Sequence, residues 1–133
     1  MILNLTQHKA TKQQEDAGVV NVNVKDMRML RDLLTFDEIP THDEMCLRAI
    51  MIADIASNNL ATAGDTVMIG GANFFMGHVE EALTDRHLNP VYAFSTRDVV
   101  EVQGDDGEVT KTAVFLHKGF VPCSITQYQS EQD

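Results

Sequence analysis

Thr66-Val67-Met68-Ile69 is a short apolar run that passes directly into Gly70-Gly71. A helical pattern follows over residues 74–88, with Val79, Ala82, Leu83 and Leu88 apolar, and Asn89-Pro90 ends it. Val91-Tyr92-Ala93-Phe94 then reads as another strand. Strand, glycine turn, helix and strand within about thirty residues make a βαβ unit, which lays its two strands parallel. Parallel strands need helices over their faces. The expected fold is therefore α/β: a Rossmann-like three-layer domain with a mostly parallel sheet.

The flanking segments extend this pattern. Residues 2–6 form a strand at the start, and Thr11-Lys12-Gln13-Gln14 fits a capping box that opens a short helix ending at Gly18. Residues 19–22 give a second strand. Residues 25–34 place Met27, Leu30, Leu33 and Leu34 at helical spacing. Thr41-His42-Asp43-Glu44 opens a helix reaching about Asn58, with Cys46, Ala49, Ile50, Ala53 and Ala56 on one stripe. Near the end, residues 97–103 and 108–116 flank Gly104-Asp105-Asp106-Gly107, a hairpin signal that adds an antiparallel edge to the sheet. Residues 1–126 read as one domain and residues 127–133 as a flexible tail.

A chain of 133 residues with 44% hydrophobic residues is the size and composition of one globular domain. No apolar run approaches the roughly 18 residues of a membrane span, and no signal peptide is legible, so a cytoplasmic protein without membrane contact is expected. The two cysteines, Cys46 and Cys123, read as reduced thiols. A formal net charge of −10 argues against broad nucleic-acid binding, which needs clustered cations, but leaves room for a local anionic ligand.

Ligands of open α/β sheets bind beyond the carboxyl ends of the strands. Three segments follow predicted strands and should converge there: Thr6-Gln7-His8-Lys9, Gly70-Gly71-Ala72-Asn73 and Ser95-Thr96-Arg97. Gly70 and Gly71 permit close backbone approach. Asn73 is placed to cap the helix behind it, whose free N–H groups favour an anion. His8 and Lys9 suit proton transfer and phosphate contact, and Arg97 suits a bidentate clamp. Each also has a plain reading, as a solvated turn or a sheet-edge ion pair. By sequence these segments carry few basic residues.

Other chemistries lack a signature. The five histidines, His8, His42, His78, His87 and His117, are scattered, without H-x-x-x-H spacing and with none joining a cysteine cluster. No metal site and no cofactor are expected, and no G-x-S-x-G elbow is present.

Leu3-Asn4-Leu5-Thr6-Gln7-His8 with Ala10-Thr11, Met68-Ile69-Gly70-Gly71, and Pro90-Val91-Tyr92-Ala93-Phe94-Ser95 resemble small CRISPR-associated Rossmann-fold (CARF-like) proteins of the ring-nuclease type. The resemblance implies a homodimer that binds a cyclic oligoadenylate and, in some members, cuts it without a metal by attack of a ribose 2′-hydroxyl. It implies ligand contacts from residues 6–9 and 70–73, phosphate stabilisation by Lys9 or Arg97, and proton transfer by His8. Two other readings stay open: a non-catalytic accessory or interaction protein of a mobile element or defence locus, and an enzyme on an uncharged metabolite. Self-association has an independent motive. Phe74-Phe75-Met76 sweep about 200° of a helix, more than one sheet-packed face hides. The helix over residues 74–88, or the loop before it, is thus expected near a dimer interface.

Overall fold

The computed structural model describes residues 1–59 and 61–123. In chain order the elements are β1 (Ile2–Asn4), α1 (Lys12–Asp16), β2 (Val19–Asn21), α2 (Val24–Leu33), α3 (His42–Asn58), β3 (Thr66–Ile69), α4 (Asn73–Thr84), β4 (Asn89–Gln103) and β5 (Val109–Pro122). They build a mixed α/β fold around one five-stranded sheet of order β2-β1-β3-β4-β5. β1 pairs in parallel with β2 and β3, β3 pairs in parallel with β4, and β5 closes the edge antiparallel to β4. The expected tail, residues 127–133, and the domain limit at 126 lie outside the described residues.

The chain moves outward from β1 to β2, then reverses over β1 to β3. Because parallel crossovers are right-handed, travel in opposite directions along the sheet sends the connecting helices to opposite faces. α2, α3 and α4 accordingly pack on the face that carries Leu3, Leu5, Val67 and Ile69, where Leu30, Ile52, Phe75 and Leu83 complete the core. α1 takes the other face, over β2, and reaches β5, where the backbone N–H of His117 donates to Gln13 Oε1 at 2.7 Å.

Caps set the helix starts. The Thr11–Gln14 capping box forms, and the hydroxyl of Thr41 accepts from the N–H of Glu44 at 3.1 Å. Asn73 does not cap: Ala72 is the N-cap residue, without a side-chain bond, and Asn73 is already helical. α4 is also shorter than its apolar spacing suggests. It stops at Thr84, and the chain turns through His87 at φ 61°, leaving Leu88 buried by the loop.

The largest departure concerns β4. The expected strand over residues 91–94 and the first hairpin arm are one continuous strand. β4 pairs with β3 only over Asn89 to Tyr92, then runs on with β5 to Gln103 across a register shift at Phe94/Ser95. The outer part is a two-stranded arm with Val99, Val102, Val109 and Phe115 exposed. Its tip turns at Gly107, φ 82°, as the Asp-Gly signal requires. Among the described residues no helix is long and apolar enough to cross a membrane.

Candidate functional site

The loop after β1 is shaped by one buried amide. Asn4 is 3% exposed, and a buried amide must satisfy its hydrogen bonds internally. Its Nδ2 donates to the His8 carbonyl at 2.8 Å and to Asn21 Oδ1 at 2.9 Å. Its Oδ1 accepts from the Thr6 N–H at 2.9 Å and from the Thr6 hydroxyl at 2.7 Å. Those four bonds use the full capacity of the group. Asn21 Oδ1 also receives the Ala10 N–H at 2.9 Å. The loop is thereby tied to two neighbouring strands, and Gln7, His8 and Lys9 lie on its outer side.

α2 enters beside this loop because β2 neighbours β1. Asn23 caps it, accepting from the Asp26 N–H at 2.9 Å. The buried Asp26 carboxylate accepts from Asn23 Nδ2 at 2.8 Å and from Asn59 Nδ2, at the end of α3, at 2.7 Å. At the far end, Arg48 of α3 donates to the Leu33 carbonyl at 3.2 Å and the Thr35 carbonyl at 2.8 Å. The Arg48 guanidinium also lies 4.4 Å over the Phe36 ring and bonds Glu44 at 2.9 Å. α2 is fixed to α3 at both ends, and it carries Arg28 and Arg31 three positions apart on one face.

Gln7, His8, Lys9, Val24, Met27, Arg28 and Arg31 together line a concavity of about 600 Å³. No carboxylate is in the lining. The ion pairs among the described residues are Arg48–Glu44 and Arg86–Asp54. Lys9, Arg28 and Arg31 thus gather in one hollow without an ion pair to any described residue, in a chain whose net charge is −10. Clustered charge of one sign beside a low-dielectric wall focuses the local potential, whatever the total.

Of the expected site residues, the structure brings Gln7, His8 and Lys9 to this concavity, with Thr6 holding the loop from behind. Thr6 Cγ2 lies 3.7 Å from where a Cβ on Gly70 would sit, so the loops after β1 and β3 meet at the reversal in strand order. Gly71 is closely packed: a Cβ there would lie 3.0 Å from Met76 Cε and 3.4 Å from Leu34 Cδ2, so those side-chain ends would have to shift by a few tenths of an ångström. Gly70, Gly71 and Asn73 do not line the concavity.

Ser95, Thr96 and Arg97 do not form a loop after a strand. They lie within β4, opposite His117, Leu116 and Phe115, because β5 continues the pairing where β3 has ended. Thr96 Oγ1 and both ring nitrogens of His117 are buried without hydrogen-bond partners among the described residues. Sequence reasoning missed Arg28 and Arg31. The expected site drew on three loops after strands and not on the helix over residues 25–34, whereas α2 forms one wall.

The five histidines are not all scattered in space. His42, Cys46 and His78 come together between α3 and α4. The run Phe74-Phe75-Met76 divides: Phe75 and Met76 are buried, and Phe74 is 56% exposed. Phe74 lines a second, mostly apolar hollow of about 620 Å³ with Phe36, Ile39, Pro40 and Met45.

Residues 1–121 match the sequence profile described as "Uncharacterized protein MJ1673 family". No curated protein matches the chain, and no solved structure does.

Proposed function

We propose, for a chain that belongs to the uncharacterized protein MJ1673 family, that the Lys9–Arg28–Arg31 concavity binds a phosphate-bearing, nucleotide-type ligand. One observation carries this reading: three cations that pair with no described carboxylate line one hollow, and no acidic side chain among the described residues lines it with them. Guanidinium groups suit phosphate oxygens through paired N–H donors. Val24 and Met27 supply an apolar wall for a base or sugar, and Gln7 a neutral donor and acceptor. The hollow lies between the loop after β1 and α2, which follows β2, so it sits at the carboxyl ends of two parallel strands, where ligands of Rossmann-like sheets bind.

The finer form of the proposal is a cyclic oligoadenylate held by two copies of the chain. Cleavage would then run through the ligand's own ribose. The 2′-oxygen attacks the adjacent phosphorus and the bond to the 5′-oxygen breaks. A 2′,3′-cyclic phosphate remains, and His8 transfers the proton from the entering to the leaving oxygen. Lys9 and the two arginines stabilise the charge on the phosphoryl oxygens. The exposed Ile39 and Phe74 beside the apolar hollow give the second copy a surface to meet.

Calorimetric titration with cyclic tetra- and hexaadenylate, AMP and inorganic phosphate tests the proposal. Binding should weaken with salt, with a log–log slope of roughly −2 for three single-strand phosphate contacts. Arg28→Ala and Arg31→Ala should each make the slope shallower by about 0.7. A ligand that binds with unchanged affinity in both variants, or no binding at low salt, refutes the site. Binding without strand scission in excess enzyme refutes only the catalytic form.

A further inference from the structure

The second cluster of chemically capable side chains lies away from the concavity, where α3 crosses α4. His42 and Cys46 stand four residues apart on α3, so they occupy one face of it. His78 faces them from α4. Cys46 Sγ is 3.5 Å from His42 Nε2 and 3.8 Å from His78 Nδ1. The two imidazoles meet edge to face with centroids 5.2 Å apart. All three donor atoms lie within 4.8 Å of one another.

These separations have a simple standard of comparison. Zinc bonds thiolate sulfur at about 2.3 Å and imidazole nitrogen at about 2.05 Å, so a tetrahedral angle puts sulfur and nitrogen about 3.6 Å apart. Both sulfur–nitrogen distances bracket that value. Only the two nitrogens must approach, and His42 is exposed and free to turn. The donor set is also selective. One thiolate with two imidazoles suits zinc and its d-block neighbours, whereas magnesium and calcium prefer oxygen. Glu81, one turn beyond His78 on α4, lines a shallow depression of about 160 Å³ with Cys46, His78 and Asp85.

We propose that His42 Nε2, Cys46 Sγ and His78 Nδ1 form a zinc site that pins α3 to α4 and leaves its fourth coordination position open toward the Glu81 depression. Three protein ligands with one open position is the arrangement of zinc centres that hold a water or a substrate. The site is independent of the phosphate reading, since none of its residues lines that concavity.

Cobalt(II) is the probe, because its thiolate charge-transfer and tetrahedral d–d absorptions report the ligands directly. One equivalent added to the reduced full-length chain should produce both bands, and zinc should abolish them by displacement. Cys46→Ser should remove the charge-transfer band, and His78→Ala should lower zinc affinity at least 10- to 100-fold, the loss seen even for outer-sphere partners of metal ligands. His87→Asn, remote and in a left-handed turn that Asn tolerates, should change neither. Circular dichroism confirms that each variant is folded. No charge-transfer band in the wild-type chain overturns the proposal. So does a band that survives Cys46→Ser, which would place the metal on Cys123.

Discussion

Asn4 shows how one side chain sets a functional loop. An apolar replacement strands the Thr6 N–H and removes one bond each from the Thr6 hydroxyl, the His8 carbonyl and Asn21 Oδ1, which keep the Thr6–His8 contact at 3.0 Å and the Ala10 N–H at 2.9 Å. Asn4→Ala should lower unfolding free energy in urea by about 2–4 kcal/mol, from several lost bonds and a small cavity. His117 presents the opposite case. Its ring nitrogens are buried and unpaired beside Phe120, with ring centroids 4.9 Å apart. His117→Phe keeps the ring contact and removes the unpaired atoms, so the urea midpoint should rise, by about 1 kcal/mol of stability. Tyr92 gives a pH signature. Burial first, then the neighbouring Glu80 carboxylate that accepts its hydrogen bond, pushes the phenol from 10.0 up to about 12. The folded state therefore holds this proton more tightly than the unfolded chain. The stabilisation is complete below pH 10 and disappears as pH rises from 10 to 12. Tyr92→Phe should flatten the decline in melting temperature across that window. At this scale, His8 and Lys9 were legible because they follow a recognisable strand. Arg28 and Arg31 were not, because cations on the polar face of an amphipathic helix look like ordinary solvated residues until strand order is known.

Among the elements, α2 deserves most of the design logic, since its position decides where two of the three cations point. Arg48 holds its C-terminal carbonyls and stacks on Phe36. Arg48→Met keeps much of the stem packing but leaves those carbonyls without the cation. We expect a loss of about 1–3 kcal/mol in thermal unfolding and weaker phosphate binding, although Arg48 does not line the concavity. The βαβ unit at residues 66–94 was readable because the buried part of a parallel strand must be apolar, and Val67–Ile69 is. The continuity of β4 was hidden for the reverse reason. In a two-stranded arm both faces meet solvent, so Ser95, Thr96, Arg97 and Asp98 need no alternation and resemble a loop. The length of α4 was overread because Leu88 is apolar and only Asn89-Pro90 marks a stop; at 100° per residue Leu88 lies opposite Val79, and it is buried from a turn, not from the helix. His42, Cys46 and His78 escaped notice because 32 residues separate Cys46 from His78 and only the α3–α4 crossing joins them.

For the whole molecule, the association expected from sequence rests on a narrower surface than three consecutive apolar residues. Phe75 is fully buried, so Phe75→Asp would unfold the monomer and report nothing about assembly. Ile39 is 96% exposed at the rim of the apolar hollow. Light scattering should give about twice 14.8 kDa for the wild-type chain and about 14.8 kDa for Ile39→Asp, with an unchanged melting profile at high dilution. A wild-type mass of 14.8 kDa removes the two-copy form of the ligand proposal.

The strand order has a further consequence, for the timing of folding. β1 is translated first yet sits between β2 and β3, so its second edge stays unpaired until residues 66–69 have left the ribosome. At about 5–20 residues per second, those sixty-odd positions take several seconds to synthesise. During that interval Leu3 and Leu5 have no β3 to pack beside, and an open apolar edge is a template for wrong pairing. A nascent chain stalled just before β3 should therefore be far more protease-sensitive and chaperone-dependent than one stalled just after β4, and pulse proteolysis of arrested ribosome complexes would register the step.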